Sequence, residues 1–163
     1  MDAPRVEIKH VLYATDFSEN AKHAFAYAAS LADQYRAKLT LLHVMREDFP
    51  DLLMFDVGTE KYAGVKKRVE ITKEHRQHAK DAMIEMAKTG YGREAIDPED
   101  IVVENGMPVQ MILQVAEGRK CDLIVMGFRG MGTLEEAIMG DTVRRVLHRS
   151  KIPVLVVQPS KEK

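Results

Sequence analysis

Residues 122–140 read DLIVMGFRGMGTLEEAIMG, and this stretch decides the fold. Within the predicted strand Asp122 to Met126, four apolar residues follow one another with no polar residue between them. That is the pattern of a strand covered on both faces. A glycine-rich stretch from Gly127 to Gly140 comes next, then a helical stripe of Val143, Val146 and Leu147, then PVLVV from Pro153 to Val157. Two buried strands separated by a helix form a parallel crossover, because only a long connection returns the chain to the same end of a sheet.

The same alternation extends toward the N-terminus. His10 to Thr15 (HVLYAT) reads as a strand that ends in Asp16-Phe17-Ser18, with Ser18 placed to cap a helix. Ala21, Ala24, Phe25, Ala28, Leu31, Ala32 and Tyr35 then form the inward stripe of that helix. Lys38 to Met45 (KLTLLHVM) is a second strand. Arg46 to Thr59, holding Pro50, Gly58 and the apolar run Leu52 to Phe55, is expected to be a loop. From Glu60 to Thr89 no proline intervenes, and a long helix is predicted to end at Gly90-Tyr91-Gly92. Its stripe runs through Tyr62, Val65, Val69, Thr72, Ala79, Met83 and Met86, with Arg76 as an interruption. Thirty helical residues would reach about 45 Å, so loop 46–59 and helix 60–89 are the expected interaction elements. Ile101 to Glu104 is the third strand, and Pro108 opens a helix with Val109, Ile112, Leu113 and Ala116 inward and Gly118 at its end. The expectation is one α/β domain over 1–163 with its core at about 10–158, a doubly wound five-stranded parallel sheet with helices on both faces.

Composition agrees. The 163 residues are 45% apolar and 30% charged, which suits a soluble domain and excludes a disordered chain. One cysteine, Cys121, excludes a disulfide scaffold. The longest apolar run, Ala24 to Ala29, is far below the ~20 residues of a membrane span. Twenty-four basic residues against 25 acidic ones leave a net charge of −1, so no nucleic-acid partner is expected. The opening Met1-Asp2-Ala3-Pro4-Arg5 has no basic-then-apolar signal pattern, and a reducing cytoplasm is the expected location.

Ligands of open parallel sheets bind at the carboxyl ends of the strands, where strand order reverses. Two segments lie at such ends: Ala14-Thr15-Asp16, and Met126 to Gly130 continuing to Gly140-Asp141-Thr142. Glycines let backbone N–H groups approach an anion, and a helix start adds unpaired N–H groups, so phosphate is the natural guest. The competing reading is that these glycines only serve a tight turn. Asp16 is either a ligand contact or a helix cap, and its place beside the glycine loop favours the ligand.

The spacing Gly127-x2-Gly130-x9-Gly140 between DLIVMG and PVLVV, the opening VLYATDFS-x-NA and the second-strand LLHV together resemble the universal stress protein family. The resemblance runs from about His10 to Gln158. It implies strand order 3-2-1-4-5, an adenine-nucleotide site (ATP or AMP), a role in stress sensing or signalling, and a homodimer formed through Pro153 to Val157. It also implies roles for individual residues. Asp16 maps to the ribose and phosphate region, and Ala14, Thr15, Val44 and Met126 to the adenine pocket. Gly127, Gly130 and Gly140 map to the phosphate loop, and Arg129, Asp141, Thr142 and Val143 complete the lining.

One position departs from the family pattern. Its motif ends in glycine followed by Ser or Thr, whereas this chain has Gly140-Asp141, with Thr142 one place later. At 4 Å and an effective dielectric of 20, like unit charges cost about 4 kcal/mol. The Asp141 carboxylate could also cap the helix and occupy the anion site itself. Two arrangements relieve the conflict: Mg²⁺ bridging Asp141 to the phosphates, or neutralisation by Arg129, Arg144 or Arg145. The alternative function is therefore a dimeric interaction or protective protein that needs no nucleotide. No catalytic triad can be assigned and no GxxxxGK[ST] loop is present, so the expected chemistry is at most a slow ATP-hydrolysing switch.

Other reactive residues have plainer readings. His43, within the second strand, reads as a structural histidine, and Cys121 as a packed thiol. His75 and His78 have the spacing of a metal pair, but Lys73, Glu74, Arg76, Gln77 and Lys80 mark a solvated face. Lys66 to Arg68 reads as solvation, and Thr133 to Glu136 as a capping box. Phe128 and Met131 are placed to meet either a base or a partner.

Overall fold

The alternation of strand and helix closes into a single parallel sheet. The computed structural model describes residues 3–46, 61–91, 96–130 and 138–161, with the backbone alone for 61–71 and 90–91. The loop expected over 47–59, Met131 and the capping box at 133–136 lie outside the described residues. In chain order the elements are β1 (His10–Thr15), α1 (Glu19–Tyr35), β2 (Lys38–Met45), α2 (Lys61–Tyr91), β3 (Ile101–Asn105), α3 (Pro108–Gly118), β4 (Leu123–Gly127), α4 (Asp141–Arg149) and β5 (Val154–Val157), with a 3-10 turn at Pro98–Asp100 before β3. The strands lie in the order 3-2-1-4-5, every neighbouring pair parallel.

The two-residue period of a strand sends alternate side chains to opposite faces. Val11, Tyr13, Leu41 and Val125 pack under α1 and α2, beside Phe25, Ala28, Ala32 and Met83. Leu12, Ala14, Leu42, Ile124 and Met126 pack under α3 and α4, beside Val109, Ile112, Val143 and Val146. Both faces are covered, which is why these strands read as continuous apolar runs. The Ser18 hydroxyl accepts the Ala21 N–H at 3.2 Å and so caps α1. Among the described side chains, two residues of the expected stripes are exposed instead. Tyr35 is the last residue of α1, where the chain turns away through a left-handed Arg36, and Leu147 stands at the solvent flank of α4.

Arg76 breaks the stripe of α2 for a reason that periodicity does not express. Its guanidinium donates to the Val103 carbonyl and, at 3.1 Å, to Asn105 Oδ1, fastening the long helix to the carboxyl end of β3. Ala79, Met83 and Ala87 continue the anchorage as buried apolar residues.

The opposite end of the sheet carries a polar cluster. His10 Nδ1 lies 3.0 Å from the Arg119 carbonyl, and its Nε2 lies 2.8 Å from Thr40 Oγ1. Buried Asp100 is met by Lys38 Nζ at 3.0 Å and by Arg119 Nη1 at 3.3 Å. A carbonyl only accepts, so Nδ1 carries the proton, and the single proton of the Thr40 hydroxyl is shared between His10 Nε2 and Asp100 Oδ1, 3.2 Å away. Burial lowers the His10 pKa from 6.5, and Lys38 and Arg119 add to the shift against the pull of the Arg119 carbonyl and Asp100. The folded chain therefore takes up this proton less readily than the unfolded chain. Stability is full above the ordinary value of 6.5 and declines as pH falls below it toward the depressed folded value. Thermal melts from pH 8 to 5 should show this decline flattened in His10→Gln; an identical slope in both proteins would remove His10 as its source.

Candidate functional site

β1 and β4 are neighbours at the centre of the sheet, and their connections leave in opposite directions, α1 to one face and α4 to the other. The crevice outside their carboxyl ends is the topological switch point. A cavity of about 280 Å³ opens there. All of the residues expected from the sequence line it: Ala14, Thr15 and Asp16 after β1, Val44 in β2, Met126, Gly127, Arg129 and Gly130 at and beyond β4, and Gly140, Asp141, Thr142 and Val143 entering α4. Ala21, Leu42, Arg46, Pro108 and Ile112 also line it and were not foreseen. Leu42, Pro108 and Ile112 were legible only as core or helix positions. Arg46 directly follows β2, so its place at a strand's carboxyl end was the available signal.

The wall has two characters. Leu42, Val44, Ile112, Met126 and Val143 make an apolar side suited to a flat ring. Asp16, the glycines and the first residues of α4 make the polar side. Asp16 Oδ1 accepts the Ser18 N–H at 3.0 Å, and the Phe17 N–H donates to Thr15 Oγ1 at 3.0 Å, which shapes the turn after β1. The cap of α1 is Ser18 rather than Asp16, one of whose oxygens serves the turn while the residue lines the cavity. His43 is the structural residue its sequence suggested, its Nδ1 2.8 Å from the Thr15 carbonyl and its ring 4.6 Å from that of Phe17.

The glycine loop approaches its surroundings too closely for side chains. A Cβ on Gly130 would stand 2.6 Å from Asp16 Oδ2, and one on Gly127 would stand 3.1 Å from both the backbone and the side chain of Asn20. Asn20 itself is buried in the first turn of α1. Its Oδ1 accepts the Arg129 N–H at 2.7 Å, and its Nδ2 donates to the Val157 carbonyl at 3.1 Å. The Phe128 N–H also donates to Val157, at 2.8 Å, and the Gly140 N–H returns to the Phe128 carbonyl at 2.9 Å. The start of the loop is therefore tied to β5 and α1, and Gly140 at its end is bonded back to that start.

At α4 the helix begins with Gly140 as its cap and receives no side-chain capping bond. Among the described residues, the first amides of the helix meet no acceptor, as is usual for an uncapped helix start. Asp141 does not occupy that position. Its Oδ1 accepts from Arg144 at 2.6 Å and its Oδ2 from Arg145 at 2.9 Å. The Arg144 hydrogen bond, aided by the charge of Arg145, holds its carboxyl below the usual carboxylate range. Neutralisation by arginine, one of the arrangements open from sequence, is made by Arg144 and Arg145. Arg129 Nε is buried and has no hydrogen-bond partner among the described residues. An unpaired buried donor costs about 1–3 kcal/mol, which an anion in the cavity would offset.

The remaining reactive residues stand apart. Cys121 is buried on the α3 face, and burial pushes its thiol up to about 11, so it is a poor nucleophile. His75 and His78 are exposed on α2, and no cluster of three or more metal-ligating side chains occurs among the described residues. No described helix is long and apolar enough to cross a membrane.

The sheet order, with a crevice at its switch point, defines a doubly wound α/β protein. Residues 7–158 match the universal stress protein family, and the chain belongs to it. It is 36% identical over 150 residues to the "Universal stress protein in QAH/OAS sulfhydrylase 3'region" of Thermus aquaticus, covering 92% of this chain and 98% of that one. It is 31% identical to universal stress protein MJ0577 of Methanocaldococcus jannaschii, covering 94% and 96% of the two chains. The solved structure of MJ0577 shares the fold with a TM-score of 0.74 at 27% identity, over 96% of this chain and 100% of that one. A universal stress protein solved in complex with cAMP aligns with a TM-score of 0.56 at 24% identity, over 95% and 100% of the chains.

Proposed function

We propose that this protein binds an adenine nucleotide, ATP or AMP, in the switch-point cavity and acts as a stress-response sensor or signalling module. The observation that carries the reading is the two-sided wall. An apolar slot between β2, β4 and α3 faces a glycine loop, an uncapped helix start and a buried Arg129 Nε that has no acceptor among the described residues. The slot suits a base, and the amides and guanidinium suit phosphate. In this reading Asp16 meets the ribose, Val44 and Met126 flank the base, and Gly127 to Gly130 with Thr142 hold phosphate. The whole chain acts as one cytoplasmic domain, and the edge strand β5 with Pro153 pairs with a second copy. Phosphate held at Gly127 to Gly130 would be felt at β5 through the bonds from Phe128 and Asn20 to Val157, coupling ligand to that edge.

Isothermal titration with ATP, ADP, AMP and cAMP tests this directly; the cAMP-bound relative is the reason for including the last. At least one adenine nucleotide should bind with a one-to-one stoichiometry, competed by the others. Silence from all four would leave a nucleotide-independent interaction protein.

A further inference from the structure

Asp141 stands at the position where a nucleotide's outer phosphates would approach α4, and a carboxylate next to phosphates is ordinarily a magnesium site. The donor set here does not fit that role. Each of the two Asp141 oxygens already accepts from an arginine, and Asp16, the other carboxylate of the lining, has one oxygen on the Ser18 amide. No third metal-ligating side chain joins either of them among the described residues. The charge that a divalent cation would supply is present in protein form. Arg144 and Arg145 outweigh Asp141 by one positive charge, and Arg129 and Arg46 line the same cavity. Asp141 lines the cavity, and the two arginines paired to it lower the negative charge that an incoming phosphate meets there.

We propose that Arg144 and Arg145, by occupying both oxygens of Asp141, make phosphate binding at this site independent of divalent cations. The proposal rests on the nucleotide reading above and names what sets its metal requirement. Arginine does here what a metal ion would otherwise do, and the ligand is the free nucleotide rather than its magnesium complex. Both arginines are about half exposed, so replacing them removes charge without opening the core.

The test is titration of the full chain with ATP in EDTA and in excess MgCl2, for the unaltered protein, for Arg144→Gln/Arg145→Gln and for Asp141→Asn. Circular dichroism confirms that each is folded. The unaltered protein should bind ATP at least as tightly in EDTA as in magnesium. The double variant should lose about tenfold or more in EDTA and recover affinity with magnesium, because Asp141 is then free to ligate it. Asp141→Asn should bind ATP more tightly than the unaltered protein in EDTA and gain nothing from magnesium. A tenfold gain from magnesium in the unaltered protein overturns the proposal while leaving nucleotide binding intact. An unchanged magnesium response in the double variant also overturns it. Absence of ATP binding in every condition overturns this proposal together with the reading beneath it.

Discussion

Gly130→Val should lower affinity for the proposed nucleotide by about a hundredfold or more while the sheet stays folded, a loss of roughly 3 kcal/mol in binding. The position is set by the approach of two loops. A Cβ there would lie 2.6 Å from Asp16 Oδ2, closer than any non-bonded contact permits, so either the carboxylate or the glycine loop must move. Asp16 has little freedom to yield, because its other oxygen takes the Ser18 N–H that shapes the turn into α1. The added γ-carbons of valine extend the conflict, and the loop then lifts from the base of the cavity with its amides. Gly130→Ala is the milder form, because it brings the Cβ conflict without the γ-carbons, and it should lose about tenfold. Titration calorimetry with the best-bound nucleotide reads both losses, and thermal melts show whether the fold is retained. If displacement of Asp16 is the cause, Asp16→Ala and Gly130→Ala are strongly non-additive in affinity. Full affinity in Gly130→Val would mean that the loop takes no part in holding the ligand.

The parts of this molecule that were legible in its sequence share a physical property: their signal is local. The strands Leu123–Gly127 and Val154–Val157 announce burial on both faces through unbroken apolar runs. Strand ends and glycines mark the crevice because the topology of a parallel sheet places them together. The parts that were not legible depend on partners distant in sequence or on a choice between local partners. Arg76 looks like a flaw in a helical stripe until β3 supplies the Val103 carbonyl. Asp141 at a helix start can cap the helix or pair with residues three and four positions on, and sequence does not rank these. The arrangement found has both arginines on the carboxylate and the helix amides left open. Leu147 and Tyr35 failed for a different reason: an apolar residue at a helix flank or end satisfies the periodicity without being covered.

Asn20 is the clearest case of a residue that local reading misses, and replacing it has the largest expected structural effect at the site. In the first turn of α1 an asparagine reads as a residue that serves its own backbone. Its partners lie 109 and 137 positions away, at the Arg129 N–H and the Val157 carbonyl. The available clue was its inclusion in VLYATDFS-x-NA, one of the stretches that carry the family resemblance. Asn20→Ala leaves the Arg129 N–H without its acceptor, while Val157 keeps the Phe128 N–H. The expected cost is about 1–3 kcal/mol, or roughly 3–10 °C in melting temperature for a chain of this length. Nucleotide affinity should fall with it, because the segment that presents Gly127 to Gly130 loses its tie to α1. Asn20→Asp separates the two bonds. It keeps an oxygen for Arg129 but turns a second oxygen toward the Val157 carbonyl and buries a charge, so at pH 7 it should melt below Asn20→Ala. Its carboxyl is then protonated more readily in the folded state than in the unfolded one. Stability relative to the unaltered protein should recover as pH falls through the raised folded value, the proton supplying the donor that the amide once gave. A deficit in Asn20→Asp that does not change between pH 8 and pH 5 would show that the contact with Val157 contributes nothing. A melting temperature within 1 °C of the unaltered protein for Asn20→Ala, with affinity unchanged, would show that the loop is held by its glycines alone.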